Sequence, residues 1–251
     1  MASAQVFSAQ DPAIALPDAD VLLPPCDLYS DEPPLETDLH FQQIVLFLDC
    51  LNWLWRDRTD FYASANSTIY FSEKQLRSRD FRGPDFFVVL GVERRPRKSW
   101  VVWAEDGKTP NVIIEVLSDS TAEIDRGLKK QLYQDVLKVY DYFWFDPDSL
   151  EFAGFSLING QYQSLQPNLQ GQLWSQQLQL FLGLHERKLR YFTPEGELVP
   201  SPTEAALASQ QRAEQETQRA EQETQRAEQE KQRADRLAAK LRELNVDPET
   251  L

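Results

Sequence analysis

A single glutamate inside an otherwise apolar segment constrains this chain more than any other feature. Asn111-Val112-Ile113-Ile114-Glu115-Val116-Leu117 follows the turn Asp106-Gly107-Lys108-Thr109-Pro110. A strand that is apolar at successive positions is buried on both faces, as in the centre of a sheet covered by helices. An ionised carboxylate there is costly unless it is paired or bound to a metal. Glu115 breaks the pattern for no packing reason, so it marks a site within the sheet.

The neighbouring segments supply the rest of an α/β layer. Glu36 to Trp55 carries apolar residues at Leu39, Ile44, Leu46, Phe47, Leu48, Leu51, Leu54 and Trp55, with acids in its first turn. This predicts an amphipathic to nearly buried helix, capped by Thr37 or the residue before it. Short β-type runs follow at Ser67–Phe71, Phe86–Leu90 and Ser99–Trp103. After Glu115, Ser118-Asp119-Ser120-Thr121 offers turn and cap chemistry. A helix is predicted from Ala122 to Val139, with Ile124, Leu128, Leu132, Tyr133 and Val136 on one side. Strands are predicted at Asp141–Phe145, Phe152–Ile158, Tyr162–Leu165 and Leu189–Phe192. The order helix, strands, helix, strand implies a mixed α/β sheet rather than a doubly wound one.

Both ends differ from this body. Residues 1–34 are rich in Pro and Asp, carry six acids and no bases, and lack a period. They are expected to be a disordered acidic segment. The C-terminal part is a repeat of seven: QRAEQET at 211 and 218, QRAEQEK at 225 and QRADRLA at 232. Opposite charges stand three and four apart, as in Arg212 to Glu216 and Arg219 to Glu223. Its stripe is small, with Ala213, Ala220, Ala227 and Ala234 alternating with Thr217 and Thr224. A robust coiled coil requires larger residues, so a solvated helix and a weak oligomerisation coil both remain open. The organisation expected is 1–34, a body over 35–195, and a helical tail over 196–251.

Composition excludes several classes. The chain has 251 residues, 41% of them hydrophobic, enough for one core with extensions. Two cysteines, Cys26 and Cys50, with no CxxC make neither a disulfide framework nor a zinc cluster. The N-terminal residues do not read as a secretory signal, and no stretch approaches the roughly 18 apolar residues of a membrane span. A cytoplasmic, membrane-free protein is expected. There is no GxSxG, Walker or GxGxxG sequence. The net charge of −14 argues against a generally sticky polyanion binder. Residues 35–200, however, carry 23 acids and 18 bases, and hold two basic clusters. One is Lys74, Arg77, Arg79 and Arg82; the other is Arg94, Arg95, Arg97 and Lys98. Either could follow a phosphate backbone or be a solvated loop.

Asp85 stands after Gly83-Pro84, immediately before an apolar strand. If that strand lies beside Glu115, the two carboxylates converge. Two hard oxygen ligands suit Mg²⁺ or Mn²⁺, completed by water and a substrate phosphate. A bound divalent ion lowers the pKa of water and neutralises charge on an attacked phosphate. Asp125, Lys129 and Tyr133 lie four apart and share a helical face. Plainer readings stand beside these: a turn residue for Asp85, a paired buried carboxylate for Glu115, a surface ion pair for Asp125 and Lys129.

Taken together, Pro84-Asp85, Ile114-Glu115-Val116-Leu117-Ser118-Asp119-Ser120-Thr121, Asp125-x3-Lys129-x3-Tyr133 and Tyr142-Phe143-Trp144-Phe145-Asp146-Pro147 resemble the Uma2 family. These are restriction-endonuclease-like proteins of the PD-(D/E)xK nuclease superfamily. The resemblance spans about Leu35 to Phe192, and the heptad tail is similar to an extension on many cyanobacterial members. It implies a mixed β-sheet flanked by helices and a Mg²⁺-dependent endonuclease acting on DNA. It implies Asp85 and Glu115 as metal ligands, joined by the Val116 carbonyl and supported by Glu36 and His40. It also implies Lys129 as the catalytic lysine, supported by Asp125 and Tyr133. Leu117 stands where the family motif has lysine, and helical phase favours Lys129 over Lys130 as its replacement. Arg77, Arg79, Arg82, Arg94 and Arg95 are the nucleic-acid-binding residues expected. The alternative is a catalytically degenerate nuclease fold, oligomeric through the body or the tail, that binds nucleic acid or protein. A hydrolase of small phosphate substrates would keep the same metal pair.

Overall fold

The computed structural model describes residues 28–30, 37–72, 83–118 and 122–243. Glu36, Lys74, Arg77, Arg79 and Arg82, and nearly all of the acidic segment 1–34, lie outside the described residues.

The first helix, α1 (Asp38–Leu54), starts where Thr37 caps it, its hydroxyl accepting the His40 N–H at 3.1 Å. It leads into β1 (Phe61–Ala65), β2 (Ile69–Tyr70), β3 (Phe86–Leu90), β4 (Trp100–Val101) and β5 (Val112–Val116). A helical segment, α2, follows in three pieces: an α-helical start Ala122–Ile124, a π turn Asp125–Lys129, and an α-helical end Lys130–Asp135. Then come β6 (Asp141–Phe145), β7 (Phe152–Ile158), β8 (Gln161–Ser164), β9 (Leu173–Ser175), β10 (Leu180–His185) and β11 (Lys188–Phe192). The chain leaves through the long helix α3 (Pro202–Glu243).

The main sheet has the order β1-β3-β5-β6-β7-β8. Strands β5 and β6 are parallel, joined over α2, and the other neighbours are antiparallel. This is the mixed sheet with flanking helices that the sequence predicts. Strand parity divides its core in two. Phe86, Val88, Val112, Ile114, Val116, Phe143 and Phe145 face α1 and the small sheet β11-β10-β9. Phe87, Val89, Ile113 and Tyr142 face Tyr133, Leu137 and Val139 at the end of α2. Each large apolar side chain buried this way contributes about 1.5–3 kcal/mol.

Several elements depart from the sequence reading. Strand β1 was not predicted: Phe-Tyr-Ala-Ser-Ala has weak β-forming residues at three of its five positions, and its pairing with β3 carries it. Strands β9 and β10 were also not predicted, and the strand expected over Ser67–Phe71 is only Ile69–Tyr70. The largest correction concerns α2. Three of the five residues on its expected apolar face point outward: Ile124, Leu128 and Val136 are 44%, 71% and 52% exposed, whereas Tyr133 is buried and Leu132 packs against the core as expected. Asp125 and Lys129 are turned inward beside Tyr133. Burial follows the partner across the gap, and that partner is Glu115.

Tail helix α3 is fastened at its start. Arg190, buried on β11, holds Glu204 at 2.6 Å and the Val199 carbonyl at 3.0 Å. From residue 206 to residue 237 every position is exposed. Thr217 and Thr224 donate back to the carbonyls of Ala213 and Ala220 at 2.9 Å. No described helix is long and apolar enough to cross a membrane.

Candidate active site

Strand β3 runs antiparallel to β5, with Phe86 opposite Ile114. Asp85, one residue before β3, therefore meets the end of β5 where Glu115 and Val116 stand. The Asp85 N–H donates to Glu115 Oε2 at 3.2 Å, and the Val116 N–H donates to Asp85 Oδ2 at 2.7 Å. Parity then sets the direction of Glu115. Val112, Ile114 and Val116 point to α1, so Ile113 and Glu115 point to α2. On α2, Lys129 Nζ lies 3.1 Å from Glu115 Oε1 and 2.9 Å from Asp125 Oδ1. The Tyr133 hydroxyl donates to Glu115 Oε1 at 2.5 Å. From the opposite layer, His40 Nε2 on α1 comes within 3.1 Å of Asp85 Oδ1. Six residues from four segments thus surround one sheet end, and Glu115 at their centre has no exposed surface.

The electrostatics of this cluster are uneven. Burial pushes the Glu115 carboxyl well above the usual range; Lys129 opposes that and the nearby Asp85 and Asp125 charges add to it. Burial pushes Asp85 up too, but the His40 ring, the Lys129 charge and the Val116 N–H outweigh it and hold this carboxyl low. Burial would lower Lys129, yet Glu115, Asp125 and Asp85 hold its ammonium charged. Tyr133 is pushed far up by burial and by Glu115, so it remains a hydroxyl donor. Asp85 is the carboxylate that stays ionised, Glu115 the one most ready to take a proton, and Lys129 the fixed positive charge.

Three carboxylates face one lysine and one histidine in this buried space. That negative excess suits a divalent cation. Among the described residues no group of three or more His, Cys, Asp or Glu side chains is arranged to grip an ion. The donors available are two hard carboxylates, Asp85 and Glu115, together with main-chain oxygen. In an extended strand a residue's N–H and C=O leave the same edge, so the Val116 carbonyl shares the Asp85 side. This donor set fits Mg²⁺ or Mn²⁺, which keep several waters, and does not fit zinc.

The two basic residues expected to bind nucleic acid, Arg94 and Arg95, lie elsewhere. They follow β3 at its far end, about 20 Å along the strand from Asp85. The Arg94 guanidinium is spent on the carbonyls of Trp55, Arg56 and Arg58 and on Asn52 Oδ1. Arg95 pairs with Glu105 at 2.7 Å. Arg94 braces the turn between α1 and β1, and Arg95 ties the loop before β4 to Glu105 beyond that strand. Lys130, the rejected candidate, lies over the Phe155 ring at 3.4 Å. Sequence reading missed Tyr142, whose hydroxyl donates to the Asp125 main-chain carbonyl at 2.8 Å. Its only signal was a tyrosine in a largely aromatic strand.

A family model described as "Putative restriction endonuclease", Uma2, matches residues 28–185. The chain belongs to the Uma2 family. The match covers α1, the whole main sheet, α2 and most of the small sheet, and stops before the tail. A crystal structure from Anabaena variabilis ATCC 29413, described as "a putative nuclease belonging to DUF820", is similar at 13% identity. It aligns with a TM-score of 0.42 over 58% of this Uma2 chain and 76% of that chain. Comparison with the curated proteins gives no match.

Proposed function

We propose that this protein is a Mg²⁺- or Mn²⁺-dependent endonuclease that hydrolyses phosphodiester bonds in DNA. The observation that carries the reading is the convergence of Asp85, Glu115 and Lys129. Two carboxylates from adjacent strands meet at one sheet end, with a charged lysine 3.1 Å from Glu115. Membership of the Uma2 family supports a nuclease.

Asp85 and Glu115 would hold the ion, with the Val116 carbonyl as a third oxygen. When bound, the ion supplies a more acidic water and a counter-charge for the phosphate. The protein's own residues do the rest. Asp85 stays ionised because His40, Lys129 and the Val116 N–H favour its charged form. Lys129 keeps its proton, so it acts as a positive charge and hydrogen-bond donor to the phosphate oxygens rather than as a base. Glu115 holds an ion only in its ionised form, and the Lys129 ammonium 3.1 Å away opposes the upward push of burial and favours that form. Tyr133 fixes the Glu115 rotamer through a buried hydrogen bond.

Incubation of supercoiled plasmid, single-stranded and branched DNA with Mg²⁺ or Mn²⁺ tests this. Cleavage lost in Asp85→Ala and Glu115→Ala, with melting curves retained, is the expected result. Absence of cleavage on every substrate with either ion would overturn it. One observation favours a second reading, the degenerate fold that binds without cutting. Lys129 already neutralises Glu115 and Asp125, as a lysine replacing a lost metal would. Calorimetric titration with Mn²⁺ separates the two, since only the endonuclease needs saturable binding that Asp85→Ala abolishes.

A further inference from the structure

The π turn in α2 has a purpose that its sequence does not announce. Along an α-helix, side chains four apart drift by about 40°, so positions 125, 129 and 133 would spread over about 80°. A π turn closes over more residues and reverses the drift locally. Placed over Asp125–Lys129, it offsets the drift between those two positions, so that Asp125, Lys129 and Tyr133 spread over a narrower arc. The three form one linked group: Lys129 and Tyr133 both reach Glu115 Oε1, and Asp125 reaches Lys129. Such turns are rare because their hydrogen-bond geometry is poor, so something outside the helix must favour this one.

The external contact comes from β6. Tyr142 is fully buried, its ring against Tyr133 at 5.4 Å and against Tyr162 at 5.8 Å. Its hydroxyl donates to the carbonyl of Asp125, the first residue of the π turn. Tyr162 packs in the same aromatic cluster, but its hydroxyl donates to Val139, beyond the helix. Of these two hydroxyls, only that of Tyr142 reaches the turn.

We propose that Tyr142 is a positioning residue, which pins the π turn through the Asp125 carbonyl and so holds the Lys129 ammonium between Glu115 and Asp125. Its bearing on catalysis rests on the endonuclease reading, whereas its hold on Lys129 does not. The hydroxyl touches no reacting atom, and its effect is transmitted through helix geometry alone. Tyr142→Phe removes one oxygen and keeps the ring packing, and Tyr162→Phe is the matched control.

The test reads Lys129 directly, by brief acetylation with acetic anhydride and mass spectrometry. Labelling is expressed as a ratio to exposed Lys138. Wild type and Tyr162→Phe are expected to label Lys129 poorly, and Tyr142→Phe at least fivefold more, with a cooperative melt retained. Equal Lys129 labelling in Tyr142→Phe and wild type would overturn the proposal. So would an equal rise in both variants, or a Tyr142→Phe protein without a cooperative melt whose lysines all label alike. This arm stands even if the protein cuts no substrate. Where it does cut, Tyr142→Phe is expected to lower kcat about tenfold at unchanged KM and unchanged Mn²⁺ affinity. An unchanged kcat would overturn the catalytic part.

Discussion

Lys129 Nζ lies 3.1 Å from Glu115 Oε1 and 2.9 Å from Asp125 Oδ1, a lysine on a helix shared by a strand carboxylate and a carboxylate of its own turn. Both carboxylates are almost wholly buried, so the lysine is their counter-charge as well as a candidate catalytic group. Lys129→Met should then cost stability and not only cleavage. Removing one partner of a buried ion pair costs about 3–5 kcal/mol, because the other charge is left uncompensated. Urea denaturation at pH 7 measures the loss. A change within 1 kcal/mol, on the order of a surface pair, would contradict the buried geometry.

Arg94 is expected to act on stability rather than on nucleic-acid affinity. Its guanidinium gathers three carbonyls at the end of α1. Arg94→Ala should cost about 0.5–1.5 kcal/mol, because these bonds are largely exposed and water can take the place of the lost donor. Titrating labelled DNA against the variant should show affinity within twofold of wild type, because the residue stands at the far end of β3 from Asp85.

Gly154 has no freedom to grow. It faces Phe143 across the β6–β7 pair, and a Cβ there would lie 2.5 Å from the Phe143 ring and 3.0 Å from Leu165. Gly154→Ala should destabilise the fold by about 1–3 kcal/mol through overpacking. A lowered melting temperature with unchanged Mn²⁺ binding checks this, since Phe143 faces the α1 layer and not the Glu115 site.

The Arg190–Glu204 clasp should be sensitive to acid. The hydrogen bond from Arg190 holds the Glu204 carboxyl down to about 2, against an ordinary 4.5. A depressed carboxyl stabilises fully above its unfolded pKa and loses that contribution as pH falls through the folded one. The stability gap between wild type and Glu204→Gln should therefore be constant above pH 4.5 and shrink towards pH 2. Because Glu204 is 47% exposed, solvent screening holds the gap to about 1 kcal/mol. Denaturation midpoints at pH 7 and pH 3 give the comparison.

Beyond that clasp the tail should add nothing to the fold. Deleting residues 210–251 removes helix that is exposed at every position from 210 to 237, so the melting temperature should stay within about 2 °C. Glu214, Glu216, Glu221, Glu223, Glu228 and Glu230 stand beside the Ala and Thr stripe on both flanks. Two copies meeting through that stripe would oppose like charges. Sedimentation at low salt and pH 7 should therefore show the same oligomeric state with and without the tail.

The strands with strong local signals were legible in the sequence. Phe86–Leu90, Asp141–Phe145 and Phe152–Ile158 are found at the predicted limits, and in the first two β-branched and aromatic runs between turn residues have little else to form. Thr37 was named as one of two caps, and it caps α1. Glu115 stood out because a carboxylate in an apolar strand needs a partner wherever the strand lies. Strand β1 was not legible, since its alanines and serine form a strand only once β3 offers an edge.

Sequence by itself determined that Asp85 stands just before one strand, that Glu115 lies inside another, and that Lys129 is in phase with Asp125 and Tyr133. Tertiary structure decided which way that phase points. An apolar row at Ile124, Leu128 and Val136 reads as the buried face by hydrophobicity alone, yet it is the outer one. The reason is physical: a buried glutamate without a counter-charge costs more than three exposed aliphatic side chains. The helix therefore turns its lysine and tyrosine inward, and a tyrosine hydroxyl from the neighbouring strand meets the turn that aligns them. Hydrogen-bond register within a helix is not written in its periodicity, because α and π turns share the same residues and differ only in what holds them from outside.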